Sequence, residues 1–342
     1  MIDEQTVAPT MVGSLTAIWE RVLQRTSIRA EDNFFDLGGN PATANRLFSE
    51  MAREYGRELS PLTIYQAPTI AELAAVLEKP ALPRFKPLVQ LKAGIDGPPI
   101  FLVPGLGGSV MEFFQLVRHI ESKHLIYGMQ SRGMDGVEEP FERIEDLAQF
   151  FLDAIRELQP HGPYILIGYS LGGLVSLEIA QRLTQKGEKI ALLVMVESYP
   201  HPTRLALGQH ADIVKRRAKR LVSKILRRAG FQAQVSKDGG ESVLDRPRTG
   251  EKWTFIMERA RRIAYRTWQN YRPRYYKGEI KFIRATEIDP QYPDDPNAVW
   301  AKLADEFAVE TMPGDHFGGL GTHSKSLAAM LSRYLKEIRV TE

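Results

Sequence analysis

The strongest constraint on the fold is a strand, turn and helix pattern centred on Ser170. The apolar run 164–167 favours a buried β-strand, and a helical pattern over 171–183 follows at once. Between them lies a G-x-S-x-G turn, in which glycines two residues before and after the serine avoid side-chain clashes. Such a turn holds the hydroxyl above the sheet edge, beside the Leu171 N–H and a helix N-terminus that stabilise negative charge. The pattern predicts that Ser170 is a catalytic nucleophile.

Composition limits the remaining possibilities. A length of 342 residues suggests two domains, or one large domain with an appendage. The absence of cysteine excludes disulfides, thiolate metal sites and a cysteine nucleophile. A net charge of +3 gives no sign of nucleic-acid binding, and we expect no metal. No apolar run approaches membrane-spanning length and the first residues lack a signal-peptide pattern, so we expect a cytoplasmic protein without membrane association.

The first eighty residues predict a small helical bundle. Apolar side chains recur at helical spacing over 11–25 and 44–52, and a short apolar segment covers 62–65. A last helix opens at Thr69, where Glu72 three residues later completes a capping box. We predict an all-α, four-helix bundle over 1–79, within the size range of independent domains.

This bundle resembles an acyl or peptidyl carrier domain of nonribosomal peptide and polyketide synthases. The resemblance covers 10–79 and is carried by 33–39 (Asn-Phe-Phe-Asp-Leu-Gly-Gly) and 65–70 (Tyr-Gln-Ala-Pro-Thr-Ile). In that family, a serine two positions after the second glycine bears phosphopantetheine, but here Pro41 stands at that position. Thr43 would lie on another part of the helix start. We therefore expect no covalently bound cofactor, and the domain is either a docking or spacer module or a vestige.

The rest of the chain predicts one large α/β domain. A proline-punctuated linker over 80–87 leads into a domain over 88–342. Alternating strand and helix patterns predict a mostly parallel sheet with helices on both faces. The strand candidates are 100–103, 125–129, 164–168, 190–196, 280–284 and 307–311. The helix candidates are 110–121, 144–158, 171–186 and 322–338.

Two further segments supply partners for Ser170. A glycine-rich loop follows the strand at 101–103, and in an α/β-hydrolase this position provides the second oxyanion-hole N–H, here that of Leu106. The loop matches neither a P-loop nor a dinucleotide-binding fingerprint. The general base is expected late in the chain, after the last strand, and His316 meets that requirement.

The large domain resembles the thioesterase domains that end nonribosomal peptide and polyketide synthases. The similarity spans about 88–338 and is carried by 101–108, 127–133, 162–173 and 314–317. In that family the triad acid is an aspartate at the end of the strand 190–196, followed by Ser-Tyr-Pro, and Glu197 occupies its place. A glutamate can still fix the imidazole tautomer, so we assign Glu197. The alternative acids are Glu287 and Asp289, which follow the next strand.

An insertion at about 200–275 predicts a helical lid. The helix predicted over 212–229 has one apolar face and many lysine and arginine residues elsewhere. A solvated cationic face is one interpretation, and contact with an acidic carrier domain, a phosphate or an anionic membrane is another. The aromatic residues over 253–268 either line an acyl channel or pack in a core.

Together these features predict a thioesterase of α/β-hydrolase fold with a Ser170, His316 and Glu197 triad. The resemblance implies a phosphopantetheine thioester as substrate, and Pro41 requires that it arrive in trans, on another carrier protein, a synthase module or coenzyme A. Water or an internal nucleophile of the acyl chain then releases the product. The alternatives are a serine esterase or acyltransferase that acts on an oxoester, and a non-catalytic docking protein of a synthase assembly.

Overall fold

The computed structural model describes residues 10–79, 86–134, 138–205 and 251–338. No helix in these ranges is long and apolar enough to cross a membrane. Nor do the same ranges contain three or more histidine, aspartate or glutamate side chains placed to hold a metal ion. The helix predicted over 212–229 and the linker residues 80–85 lie outside the described residues.

The N-terminal bundle consists of four helical segments. They are α1 (Met11–Leu23), α2 (Pro41–Tyr55), a 3₁₀ helix (Pro61–Tyr65) and α3 (Ile70–Glu78). Its core is centred on Trp19, whose ring meets Phe34 edge-on with centroids 5.2 Å apart. The predicted capping box at Thr69 is present, since its hydroxyl accepts from the Glu72 N–H at 3.2 Å and the Glu72 carboxylate accepts from the Thr69 N–H at 3.1 Å.

The second part of the chain is built on one seven-stranded sheet. The strands are β1 (Leu88–Lys92), β2 (Ile100–Val103), β3 (Ile126–Met129), β4 (Tyr164–Tyr169), β5 (Ile190–Val196), β6 (Tyr276–Ala285) and β7 (Ala304–Met312), in the order β1-β3-β2-β4-β5-β6-β7. Every neighbouring pair is parallel except β1 and β3. The predicted mostly parallel sheet is confirmed, and its central strand β4 is buried along its whole length.

Helices cover both faces of the sheet. They are α4 (Phe114–Val117), α5 (Ile144–Leu158), α6 (Leu171–Gln185), α7 (Glu251–Asn270), α8 (Asn297–Trp300) and α9 (Ser324–Glu337). Side chains from α5, α6 and α8 share one buried cluster with the sheet, while α4 and α9 contribute to the cluster on the opposite face. This layering brings the carboxyl ends of the parallel strands to one edge, where sites of such folds form.

Four elements differ from the sequence predictions, and one of them is strand β7, which begins at Ala304, three residues before the predicted 307. The edge strand β1 was not predicted, because the strand has only five residues and most of them are not fully buried. Strand β6 begins at Tyr276, four residues before the predicted 280, because its first residues alternate buried and exposed positions. The helix predicted over 110–121 is instead a 3₁₀ helix (Val110–Phe113) followed by the single turn α4.

The bundle contacts the sheet domain through apolar side chains. Phe35 of the bundle lies against Phe114, with ring centroids 5.6 Å apart. Leu62 forms a small buried cluster with Met134 and Ala260, against which Met111 packs. These contacts join the bundle to the segment that follows the glycine-rich loop and to α7.

Candidate active site

Ser170 lies in a strained turn between β4 and α6. Its backbone has φ 54° and ψ −121°, and its N–H donates to the Val196 carbonyl of the neighbouring strand at 2.8 Å. A side chain at Gly168 or Gly172 would overlap backbone atoms, since α6 begins directly against β4 and the end of β2. Glycines are therefore required at these two positions because backbone segments lie too close for a side chain. The strained backbone gives Ser170 a conformation that differs from that of an ordinary N-cap residue.

His316 and Glu197 are brought together across the sheet edge. Glu197 directly follows β5, is 6 % exposed, and places Oε2 3.4 Å from His316 Nδ1. Its other oxygen accepts a hydrogen bond from the Ala285 N–H at 2.6 Å, which orients the carboxylate. Because Nδ1 faces the acid, Nε2 of the imidazole is the nitrogen left for a hydroxyl proton.

Tyr169, the residue before Ser170, connects the loop that carries His316 to the turn between β4 and α6. Its hydroxyl donates to the His316 carbonyl, and the two rings lie with centroids 5.4 Å apart. Burial raises the pKa of Tyr169 well above its usual range, and nearby carboxylates raise it further, so the phenol stays a donor. This contact places the imidazole beside the turn that carries Ser170.

The alternative acids lie elsewhere. Asp289 accepts from the Gln291 N–H at 2.8 Å in its own loop, and Glu287 is exposed. In the described structure neither carboxylate bonds to His316, whereas Glu197 does. The geometry therefore pairs His316 with Glu197 and packs the imidazole against Tyr169, next to Ser170 in the chain, while no hydrogen bond joins the serine hydroxyl to the imidazole among the described residues. Such contacts often tighten only when substrate binds.

The glycine-rich loop lies directly beside Ser170. A side-chain carbon at Gly105 would stand 3.3 Å from the Ser170 Cβ, so the loop has closed onto the elbow. The Gly108 N–H donates to the Gly105 carbonyl at 3.0 Å, which makes a turn with Leu106 at its bend. The Leu106 N–H donates to no described residue, and Leu171 is the first residue of α6. Leu106 and Leu171, the residues predicted to supply the oxyanion N–H groups, thus lie in the two segments that adjoin Ser170.

One group at the site was missed by the sequence analysis. Glu112 accepts a hydrogen bond from the Gly105 N–H at 2.9 Å, and a backbone hydrogen bond from Gly107 also acts on it. Burial raises its pKa to about 7, and these bonds together with His316 and Arg261 oppose the rise. A glutamate inside a predicted helix has no distinctive pattern. No sequence signal marks it, since the close approach of the Gly107 backbone to the Glu112 carboxylate is visible only in the structure.

The N-terminus of α2 does not fit a phosphopantetheine arm. Pro41 is the first helical residue, where the missing N–H costs nothing, and it has no hydroxyl. Asn40 caps the Ala42 and Thr43 N–H groups at 2.9 and 3.1 Å. The Thr43 hydroxyl is already used, since it accepts from the Asn40 N–H at 2.8 Å and donates to the Asn40 carbonyl at 2.9 Å. No residue at this turn offers a free hydroxyl for attachment.

The aromatic residues predicted for the lid region pack against the end of β5. The Trp268 indole N–H donates to the Tyr199 carbonyl at 2.8 Å, and the Tyr265 hydroxyl lies 3.2 Å from His201 Nε2. The rings of Tyr265 and Trp268 meet edge-on at 5.6 Å. Trp268 is half-buried, and its contacts favour the core-packing interpretation for this side chain, whereas Tyr265 is 39 % exposed.

Comparisons with known proteins agree with this architecture. Residues 98–335 match the family described as Thioesterase domain, and residues 14–77 match the family described as Phosphopantetheine attachment site. A dimodular nonribosomal peptide synthase of Bacillus subtilis is 31 % identical over 302 residues, which is 82 % of this chain and 12 % of that protein. Malpibaldin synthetase of Mortierella alpina is 28 % identical over 276 residues, 80 % of this chain and 5 % of that protein. The chain thus spans a small part of these relatives.

Solved structures show the same fold. A four-domain nonribosomal peptide synthetase, crystallised with AMP and glycine, aligns over 97 % of this chain and 27 % of its own, with a TM-score of 0.59 and 20 % identity. The type II thioesterase of the borrelidin biosynthetic cluster aligns over 72 % of this chain and 97 % of its own, with a TM-score of 0.53 and 22 % identity. The first likeness includes both parts of the chain, and the second covers the sheet domain.

Proposed function

Because the chain belongs to the thioesterase domain family, whose members are hydrolases that act on thioesters, we propose that it releases an acyl or peptidyl chain through a Ser170, His316 and Glu197 triad. The observation that carries the proposal is the strained turn at Ser170, with φ 54°, placed at the edge where His316 and Glu197 meet. Strain of this kind persists where the surrounding structure enforces it, and it is characteristic of functional sites.

The first half of the reaction forms an acyl-enzyme. Nε2 of His316 takes the Ser170 proton as the oxygen attacks the thioester carbonyl, and the Leu106 and Leu171 N–H groups hold the oxyanion. Glu197 stabilises the imidazolium through Nδ1. As the tetrahedral intermediate collapses, the carbon–sulfur bond breaks and the sulfur leaves as a thiol with the proton that His316 returns.

The second half releases the product. Water, or a nucleophile within the acyl chain, gives a proton to His316 and attacks the serine ester, which yields a free acid or a cyclic product. Ser170 recovers its proton from the imidazolium when the second intermediate collapses. A single base thus serves both halves because each step restores it.

We further propose that the substrate thioester arrives in trans, on a carrier protein, a synthase module or coenzyme A. The support is the α2 N-terminus, where Pro41 has no hydroxyl and the Thr43 hydroxyl is engaged in the capping box. The bundle itself therefore carries no arm, and phosphopantetheine enters only as part of the substrate. The relatives named above are synthases, which favours carrier-bound acyl groups over free esters.

A labelling experiment tests the proposal. A fluorophosphonate probe reacts with an activated serine, so peptide mass spectrometry should find the adduct on Ser170 and none on the Ser170→Ala variant. Matched acyl thioesters and oxoesters then separate a thioesterase from an esterase by kcat/KM. A protein that takes no label and turns over neither substrate would be a docking protein, and the proposed function would be wrong.

A further inference from the structure

The segment from Val110 to Val117 lies between the glycine-rich loop and the N-terminal bundle. It comprises the 3₁₀ helix (Val110–Phe113) and α4, and three of its side chains face these two neighbours. Glu112 faces the loop, while Met111 and Phe114 face the bundle. One short element therefore touches both the loop that contains Leu106 and the bundle in which Pro41 stands at the attachment position.

The Glu112 contact constrains the loop at two points. The carboxylate accepts from the Gly105 N–H at 2.9 Å and receives a further backbone hydrogen bond from Gly107. Leu106 lies between these two glycines, so its N–H direction depends on how both are held. The same carboxylate oxygen that bonds Gly105 lies 3.4 Å from the position a Gly105 side chain would take, and Ser170 Cβ lies 3.3 Å from that position.

The bundle packs on the other side of the segment. Phe35 meets Phe114 with centroids 5.6 Å apart, and Met111 packs against both the bundle core and the cluster around Leu62. Phe35 itself packs against Tyr65, with ring centroids 4.8 Å apart and planes tilted by 35°, and both rings pack against the bundle core. Met134, which packs with Leu62 in this interface, is 1 % exposed.

We propose that Glu112 is a positioning residue for the oxyanion loop, and that the bundle holds it in place through Met111 and Phe114. This inference rests on the proposed function. The bundle then acts as a fixed support within the enzyme, a role that requires its packing surface and no prosthetic arm.

The first test uses hydrogen–deuterium exchange of the full chain, which does not depend on turnover. In Glu112→Gln the amide cannot accept both N–H bonds, because one of its two polar ends is a donor. We expect faster exchange in the peptide that spans 104–109, both in this variant and in Phe35→Ala. The controls Gln115→Ala, an exposed neighbour, and Val76→Ala, a half-buried bundle residue, should match the wild type. Unchanged exchange in Glu112→Gln or in Phe35→Ala overturns the proposal.

The second test measures turnover of an acyl-N-acetylcysteamine thioester. Misplacing one oxyanion donor should lower kcat of Glu112→Gln roughly tenfold, with KM little changed, since the interaction forms in the transition state. Phe35→Ala should lower kcat by a smaller factor. Because both changes act on the same loop, the double variant should lose less than the product of the two effects. A Glu112→Gln variant that is faster than the wild type would mean that the carboxylate opposes the oxyanion, which overturns the positioning role.

The pH dependence of kcat/KM tests whether the Glu112 carboxylate positions the loop through its charge or only through packing. The groups that face Glu112 are His316, Arg261 and the Tyr169 phenol. With a pKa of about 7, the carboxylate is ionised above pH 7 and best able to accept both N–H bonds there. As pH falls below 7, the wild type should lose kcat/KM more steeply than a single proton allows, whereas Glu112→Gln should lack the part of that fall that comes from protonation of the Glu112 carboxylate. Identical slopes in the two proteins overturn the proposal.

The failure of the inference is distinguishable from that of the proposed function. If fluorophosphonate labels Ser170 and thioester is cleaved, but Glu112→Gln matches the wild type in exchange and kcat, only the positioning role is wrong. If Ser170 takes no label, the proposed function fails, and the exchange experiment still decides whether Glu112 and the bundle hold the loop.

Discussion

Two helices in this chain begin after a glycine-containing turn, and their first residues differ in what they leave free. At α2, Asn40 closes the Ala42 and Thr43 N–H groups with its side chain, and Pro41 fills the first position. At α6, Ser170 makes no side-chain cap and sits at φ 54°. At the start of α2, side chains of the same turn accept hydrogen bonds from the backbone N–H groups. At the start of α6, the serine hydroxyl and N–H groups have no side-chain cap, and the backbone is strained. A helix start therefore indicates a reactive site when its donors and its serine are left unused.

The largest effect on activity is expected when the Ser170 hydroxyl at the start of α6 is removed. Ser170→Ala should lower kcat by roughly 10⁴-fold or more, because no nucleophile remains and only binding and the oxyanion donors act. Steady-state hydrolysis of an acyl-N-acetylcysteamine thioester measures it. Circular dichroism should show an unchanged fold, and a variant with more than a tenth of wild-type activity would remove Ser170 from the mechanism.

Removing the acid should have the next largest effect. Glu197→Ala should lower kcat by roughly 10³-fold, because the imidazole loses the partner that sets its tautomer and stabilises its charge. Glu197→Asp shortens the side chain by one methylene and should recover part of the activity. Asp289→Ala is the matched control and should stay within about twofold of wild type. Undiminished turnover in Glu197→Ala would transfer the role to Asp289.

A smaller effect, on stability, is expected when the cap at the start of α2 is removed. Asn40→Ala removes the cap of α2 and should lower the free energy of unfolding of the bundle by about 1 kcal/mol. Thr43→Val, which removes the reciprocal hydroxyl, serves as the comparison. Urea unfolding followed by tryptophan fluorescence reports the change, since Trp19 is buried in this core. An unchanged midpoint for Asn40→Ala would show that these hydrogen bonds contribute nothing net.

The smallest expected effect is none at all. Incubation of the wild type with coenzyme A and a phosphopantetheinyl transferase should add no mass, because the turn offers no free hydroxyl. Pro41→Ser restores a hydroxyl at the first helical position and is the positive comparison for intact-mass spectrometry. An arm on the wild type would show that another side chain accepts it, and would reopen delivery in cis.

Much of this architecture could be predicted because the pattern and the packing agree. Strand β4 is apolar at nearly every position and is buried throughout, so its sequence directly reflects its place in the sheet. The positions of the triad candidates could also be predicted, since Ser170, Glu197 and His316 each follow a strand that ends at the same edge, while their catalytic roles stay a prediction. Parallel order then brings distant parts of the chain together without further information.

What could not be predicted depends on contacts across the chain. Strand β1 is short and its central Gln90 is exposed, so only its pairing with β3 makes it a strand. Glu112 has no local pattern, because its role comes from the Gly105 and Gly107 amides that the fold places against it. The packing of the bundle on Phe114 could not be predicted either, because the apolar periodicity of each domain gives no information on contacts between the domains.

Strand β7 lies at the margin of the sheet, with β6 as its sole partner among the described strands. The loop that carries His316 continues directly from this outermost strand, whereas Ser170 and Glu197 follow strands near the middle. Sheet margins open before sheet centres on warming. Heating should therefore displace the loop that carries His316 while the rest of the molecule is still folded. Inactivation should then occur at a lower temperature than cooperative unfolding.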